Sequence, residues 1–123
     1  MRALVVDDSK AIRVILGNIL RGLGFEVVEA ANGRQALERL AEVGKADLVL
    51  VDWNMPEMDG LEFIRQVRAR DGHEDMTMVM VTTETETENV VRALAAGANE
   101  YVMKPFSKEM LTEKLALLGL MPA

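Results

Sequence analysis

The sequence predicts an α/β fold, a doubly wound five-stranded parallel sheet formed as one domain over residues 1–123. Three observations predict it. Five short apolar runs alternate with five amphipathic stretches. The runs nearest the middle of that series are continuously apolar, which suits parallel strands buried on both faces. The chain, at 123 residues, has the length of one core and no room for a second. Right-handed crossovers reduce the strand orders to a few, and such sheets carry their sites at the carboxyl ends of the strands.

The first strand is Ala3-Leu4-Val5-Val6, closed by Asp7 and Asp8. Ser9 is placed to cap the helix that follows. Ile12, Ile15, Leu16, Ile19, Leu20 and Leu23 recur at spacings of three and four and form its buried face, and Gly24 stops it. Phe25–Ala30 is the second strand. Asn32 with Gln35 gives a capping pattern for a second helix through Ala36, Leu37, Leu40 and Ala41, ended by Gly44. Asp47–Asp52 is a third strand with an apolar centre and acids at both ends. A loop from Trp53 to Met58 follows. Asp59 with Glu62 opens a third helix using Leu61, Ile64 and Val67. Met76–Thr82 is the fourth strand. Val90, Val91, Leu94 and Ala95 mark a fourth helix, stopped by Gly97. Glu100–Met103 is a short fifth strand, Lys104-Pro105 a turn, and Ser107 to Leu118 a fifth helix with Leu111, Leu115 and Leu118 on one face.

Composition narrows the function. Net charge is −6 and the pI is near 4.8, which disfavours a nucleic-acid partner or an anionic membrane. There is no cysteine, so disulfides and thiolate metal sites are excluded. The first eight residues lack the apolar length of a secretory signal, and no run reaches the ~18 residues of a membrane span. A cytoplasmic protein is the expectation. Nine methionines stand where aromatic residues are few, and methionine packs adaptably.

The chemistry lies at the strand ends. Asp7 and Asp8 end the first strand, Asp52 the third and Thr82 the fourth, and Lys104 follows the fifth. In a parallel sheet these ends converge on one edge. Three crowded carboxylates repel one another unless a cation sits among them. Oxygen-only ligands favour a hard ion, Mg²⁺ before Zn²⁺. A hydroxyl and an ammonium nearby suit phosphoryl oxygens, and an aspartate nucleophile gives an acyl phosphate. Other motifs do not fit. No glycine-rich loop follows the first strand, so a dinucleotide site or P-loop is not supported. Asp52-x-Asn54 begins like a Ca²⁺ loop, but Pro56 breaks it. Trp53 reads as apolar surface area that, beside Asp52, reports on the site, Glu84, Glu86 and Glu88 as caps of the fourth helix, and His73 as a solvated loop residue.

Four segments together carry a family resemblance over the whole length: Val5-Val6-Asp7-Asp8-Ser9, residues 51–60 (VDWNMPEMDG), Val81-Thr82-Thr83-Glu84, and residues 97–106 (GANEYVMKPF). With them the chain resembles the receiver domains of response regulators, and within these the single-domain, chemotaxis-type regulators. The resemblance implies the flavodoxin-like (βα)₅ receiver fold. It implies Asp52 as phosphoacceptor and Asp8, Asp52 and the Asn54 carbonyl as Mg²⁺ ligands, with Asp7 assisting through water. It implies that Thr82 and Lys104 contact the phosphoryl group, that Pro105 follows a cis peptide, and that Tyr101 turns inward when Thr82 moves. Asn54 and Glu84 match the positions that tune self-dephosphorylation. A histidine kinase is the implied donor, and a downstream protein target or phosphotransfer protein the implied recipient of the signal. The face formed by the fourth helix, fifth strand and fifth helix is the implied output surface of a monomer. Such a protein is not an enzyme in the usual sense, because it catalyses only its own phosphorylation and dephosphorylation. Two alternatives share the chemistry: a phosphorelay carrier that passes the group to a second histidine protein, and a metal-dependent phosphatase of small molecules.

Overall fold

Side-chain caps set where most of the helices begin. In the computed structural model, which describes residues 1–70, 72–83 and 87–120, Ser9 accepts from the Ile12 amide at 3.3 Å. Asn32 accepts from Gln35 at 2.8 Å, Asp59 from Glu62 at 2.8 Å and Ser107 from Met110 at 3.1 Å. Each satisfies one of the amides that a helix start leaves without an intrahelical partner. Gln35 also reaches back to the Ala31 amide at 2.6 Å, so the capping pattern in the sequence closes on itself.

The elements run β1 Arg2–Val6, α1 Lys10–Gly22, β2 Glu26–Ala30, α2 Gly33–Val43, β3 Leu48–Val51, α3 Gly60–Arg68, β4 Thr77–Thr82, α4 Thr87–Ala96, β5 Glu100–Met103 and α5 Lys108–Leu117. All strand pairs are parallel, in the order β2-β1-β3-β4-β5. The predicted α/β class, the five strands and their positions agree with this. Asp47 falls just outside β3, where its carboxylate accepts from the Arg2 amide at 2.8 Å.

Successive strand residues face opposite layers. Leu4, Val6, Val49, Val51, Met78 and Met80 pack under α2, α3 and α4, with Phe63 and Ile64. Ala3, Val5, Leu48, Leu50, Val79 and Val81 pack under α1 and α5, with Leu16, Leu20, Leu111 and Leu115. All are buried, so both faces of the sheet exclude water and each large aliphatic side chain contributes about 1.5–3 kcal/mol.

Two helix faces differ from the expected ones. On α1, Ile15 is 48% exposed. Gly17 is buried instead, and a Cβ there would stand 3.8 Å from Val27. The inward face of α1 runs through Leu16, Gly17 and Leu20, and Ile15 lies at its edge. On α4 the inward residue is Ala93, flanked by partly buried Val90 and Ala96, while Val91 and Leu94 are 58% and 46% exposed and Ala95 is also exposed. The rings of Trp53 and Tyr101 share the layer beneath α4, so the helix docks on its small residues. Among the described residues, no helix is long and apolar enough to cross a membrane.

Candidate functional site

Strand register builds the site. Val6 pairs with Val51, so Asp7 and Asp52 stand one step further along adjacent strands. Val51 pairs with Met80, and Thr82 pairs with Met103, which brings Lys104 to the same edge. The order reverses between β1 and β3, and this is the crevice in which open α/β sheets place their ligands.

There the Lys104 ammonium lies 2.8 Å from Asp7 Oδ2 and 3.1 Å from Asp52 Oδ2. Asp7, Asp52 and Thr82 are buried, and Asp8 is exposed at the mouth. The main chain is fixed at each point. The Asp7 amide donates to Ala30 at 3.1 Å, that of Asp52 to Val6 at 3.0 Å, and that of Lys104 to Thr82 at 2.9 Å. The Lys104–Pro105 peptide is cis, as the resemblance implied.

Both oxygens of Asp7 are engaged, Oδ1 by the Ser9 amide at 2.9 Å and Oδ2 by Lys104. Asp52 differs. Its Oδ2 accepts from Lys104, but its Oδ1 is buried and accepts from no described residue. Burial pushes the Asp7 carboxyl above the usual carboxylate range, while the hydrogen bonds from Lys104 and Ser9 pull the other way. Burial alone would lower Lys104. The hydrogen bond to Asp7 and the Asp52 charge outweigh it and hold the ammonium above the ordinary lysine value.

Asp7, Asp8 and Asp52 can each offer an oxygen such that the three lie within 4.8 Å of one another. Among the described residues, three carboxylates face one ammonium here, and a buried oxygen of Asp52 has no donor. A hard divalent cation suits that set by charge and by ligand type.

The loop after β3 shapes the rim. Asn54 is exposed there. Glu57 takes a left-handed φ of 68° and accepts from Asn32 at 3.1 Å. Gly60 lies against Asp52, since a Cβ at that position would meet the Asp52 carbonyl oxygen at 2.1 Å. Trp53 is not surface area, contrary to the expectation. It is 8% exposed beneath the guanidinium of Arg92, which stands 5.6 Å from the ring centre. Tyr101 is buried in the same layer. His73 is half-buried rather than solvated, with a buried Nδ1 that has no hydrogen-bond partner among the described residues. Glu88 lies in the first turn of α4 as read. Glu84 and Glu86 fall outside the described residues.

Three residues at the site were not singled out from the sequence: Gly60, Arg92 and Arg13. Arg13 donates to the Asp7 carbonyl at 2.6 Å. A signal existed for it, because a basic side chain near the N-terminal end of a helix with no acid in its first turn opposes the macrodipole.

Comparison with known proteins agrees with this geometry. Residues 3–116 match the response regulator receiver domain family. A chemotaxis protein CheY homolog of Campylobacter jejuni is 47% identical over 116 residues, 94% of this chain and 89% of that protein. Chemotaxis protein CheY1 of Helicobacter pylori is 43% identical over 119 residues, 96% of each chain. The solved structure of the chemotaxis response regulator CheY4 of Vibrio cholerae superposes with a TM-score of 0.88 at 38% identity, covering 95% of this chain and 97% of that one. The chain belongs to the response regulator receiver domain family, and its fold is the flavodoxin-like fold of the CheY-like receivers.

Proposed function

We propose that the protein is a phosphorylation switch of chemotaxis type in which Asp52 is the acceptor. The observation that carries this reading is the buried Oδ1 of Asp52, which no described residue donates to, set beside Lys104 and the fully buried Thr82. A histidine kinase presents a phosphohistidine. Asp52 Oδ1 attacks the phosphorus, a P–O bond forms, the P–N bond breaks, and the imidazole leaves with the bonding pair. Lys104 already neutralises Oδ2 and is placed to hold a phosphoryl oxygen, and the Thr82 hydroxyl serves another. Asp8, Asp52 and the Asn54 carbonyl would hold Mg²⁺, with Asp7 oriented behind them. When bound, that ion supplies positive charge against the phosphoryl oxygens. Positioning and charge neutralisation are most of what phosphoryl transfer needs.

Thr82 and Tyr101 pass the change outward, and Asn54 with Glu84 tunes how long it lasts. The names of the relatives point to chemotaxis. Exposed apolar side chains support output by protein contact: Val91 and Leu94 on α4, Met103 at the end of β5, and Met110 and Leu117 on α5. The ligand-bound form shifts the population of that face, as differential contacts require. The test is labelling by a cognate kinase, or by acetyl phosphate with Mg²⁺. Wild type takes up label and Asp52→Asn takes up none. Label retained at the wild-type level on another residue refutes the assignment.

A further inference from the structure

The metal site proposed above has a residue behind it that the phosphoryl chemistry does not use. Arg13 comes from the start of α1, and its side chain is only 16% exposed. Its Nη1 donates to the Asp7 carbonyl at 2.6 Å. Its Nε pairs with Glu29 of β2 at 3.3 Å, and Glu29 also faces Arg21 at 3.8 Å. The guanidinium thus bridges the peptide that joins Asp7 to Asp8 and a carboxylate one strand away.

That peptide matters because of what each end carries. On its Asp7 side the carboxylate is locked by Ser9 and Lys104. On its other side Asp8 is exposed, so the direction of its carboxylate follows from the backbone. A peptide is planar, and fixing its carbonyl fixes the N–H and Cα of the next residue. A planar guanidinium held at two points is better suited to this than a flexible ammonium.

We propose that Arg13 is a positioning residue for the divalent-cation site. Anchored by Glu29, it sets the plane of the Asp7–Asp8 peptide so that Asp8 is aimed at the cation before it arrives. The inference rests on the metal reading of the acidic cluster.

Geometry and charge predict opposite signs here. Arg13 is a cation near three carboxylates, so by charge alone its removal strengthens the binding of a divalent ion. If it acts by positioning, removal weakens binding, by about tenfold as for groups that orient metal ligands elsewhere. The experiment titrates Mg²⁺ into the whole chain and reads Trp53 emission and calorimetric heat. Wild type, Arg13→Met, Arg13→Lys, Glu29→Gln and Asp8→Ala are compared, and metal-free melting temperatures are recorded for each.

The expected result is an affinity about tenfold weaker for Arg13→Met, with a smaller loss in the same direction for Glu29→Gln. Arg13→Lys keeps the charge but cannot span both partners, so it loses affinity too. It carries the test on its own if Arg13→Met does not fold. Unchanged or tighter binding in a folded Arg13 variant overturns the proposal while Asp8→Ala still abolishes binding. If wild type and Asp8→Ala respond alike, the metal reading itself fails and takes this inference with it.

Discussion

Lys104→Met isolates the electrostatics of the site. The lysine lies between Asp7 Oδ2 at 2.8 Å and Asp52 Oδ2 at 3.1 Å. Methionine keeps the aliphatic stem and removes the ammonium. Two carboxylates, 1% and 8% exposed, then share a crevice with no counter-charge. Removing one partner of a buried pair costs about 3–5 kcal/mol. The lower end applies here because Asp8 opens the crevice to water, so we expect about 3 kcal/mol, or a melting temperature lower by roughly 12 °C for a domain of this size. The pH dependence has a defined sign. Asp7 already titrates above its unfolded value, and Lys104 is among the groups holding it down. Without Lys104 the folded value rises further. A carboxyl raised on folding contributes stability that is complete below its unfolded pKa and is lost as pH rises through its folded one. The deficit of the variant is therefore largest near neutral pH and shrinks on acidification toward the ordinary carboxylate range. The lysine works in the opposite region. Its folded value is raised, so its contribution is full below the unfolded lysine value and disappears as the pH climbs through the folded one. Urea unfolding near pH 7.5 and near pH 5, each with and without millimolar Mg²⁺, measures all of this. Magnesium should recover more stability in Lys104→Met than in wild type, because more repulsion remains to be relieved. A loss under about 1 kcal/mol at both pH values, or a deficit that grows on acidification, refutes the assignment of Lys104 as the counter-charge.

Two further changes probe the surroundings of Asp52. Gly60→Ala drives a methyl group into the Asp52 carbonyl oxygen, at 2.1 Å before relaxation, and is expected to cost about 1–3 kcal/mol by overpacking and to weaken Mg²⁺ binding. Wild-type stability with wild-type affinity would show that the α3 start yields without moving Asp52. Arg92→Ala uncovers the ring of Trp53. It should cost about 0.5–1 kcal/mol and shift tryptophan emission to the red, and an unchanged spectrum would mean that the guanidinium does not screen the ring.

Most of the fold was legible because each local signal agreed with the global one. Apolar runs, caps and glycine stops all point to the same ten elements, and polar residues at the strand ends locate the site. Misreadings arose where periodicity had to choose among several apolar residues. Val90, Val91, Leu94 and Ala95 all fit one face of α4, yet the inward position went to Ala93. Nothing in the sequence states that Trp53 and Tyr101 occupy the layer below. The same gap hid Trp53 itself, which was read from its loop context while α4 covers it from about forty residues away. Arg13 and Gly60 escaped for a related reason. Their roles depend on what approaches their backbone or side chain, the Asp7 carbonyl in one case and the Asp52 carbonyl in the other. A strand-end carboxylate declares its chemistry by residue type and position. The groups that aim it are defined by tertiary approach. The outward turn of Val91 and Leu94 belongs to this second class, because the packing that keeps them out of the core leaves them at the surface proposed to meet the downstream partner.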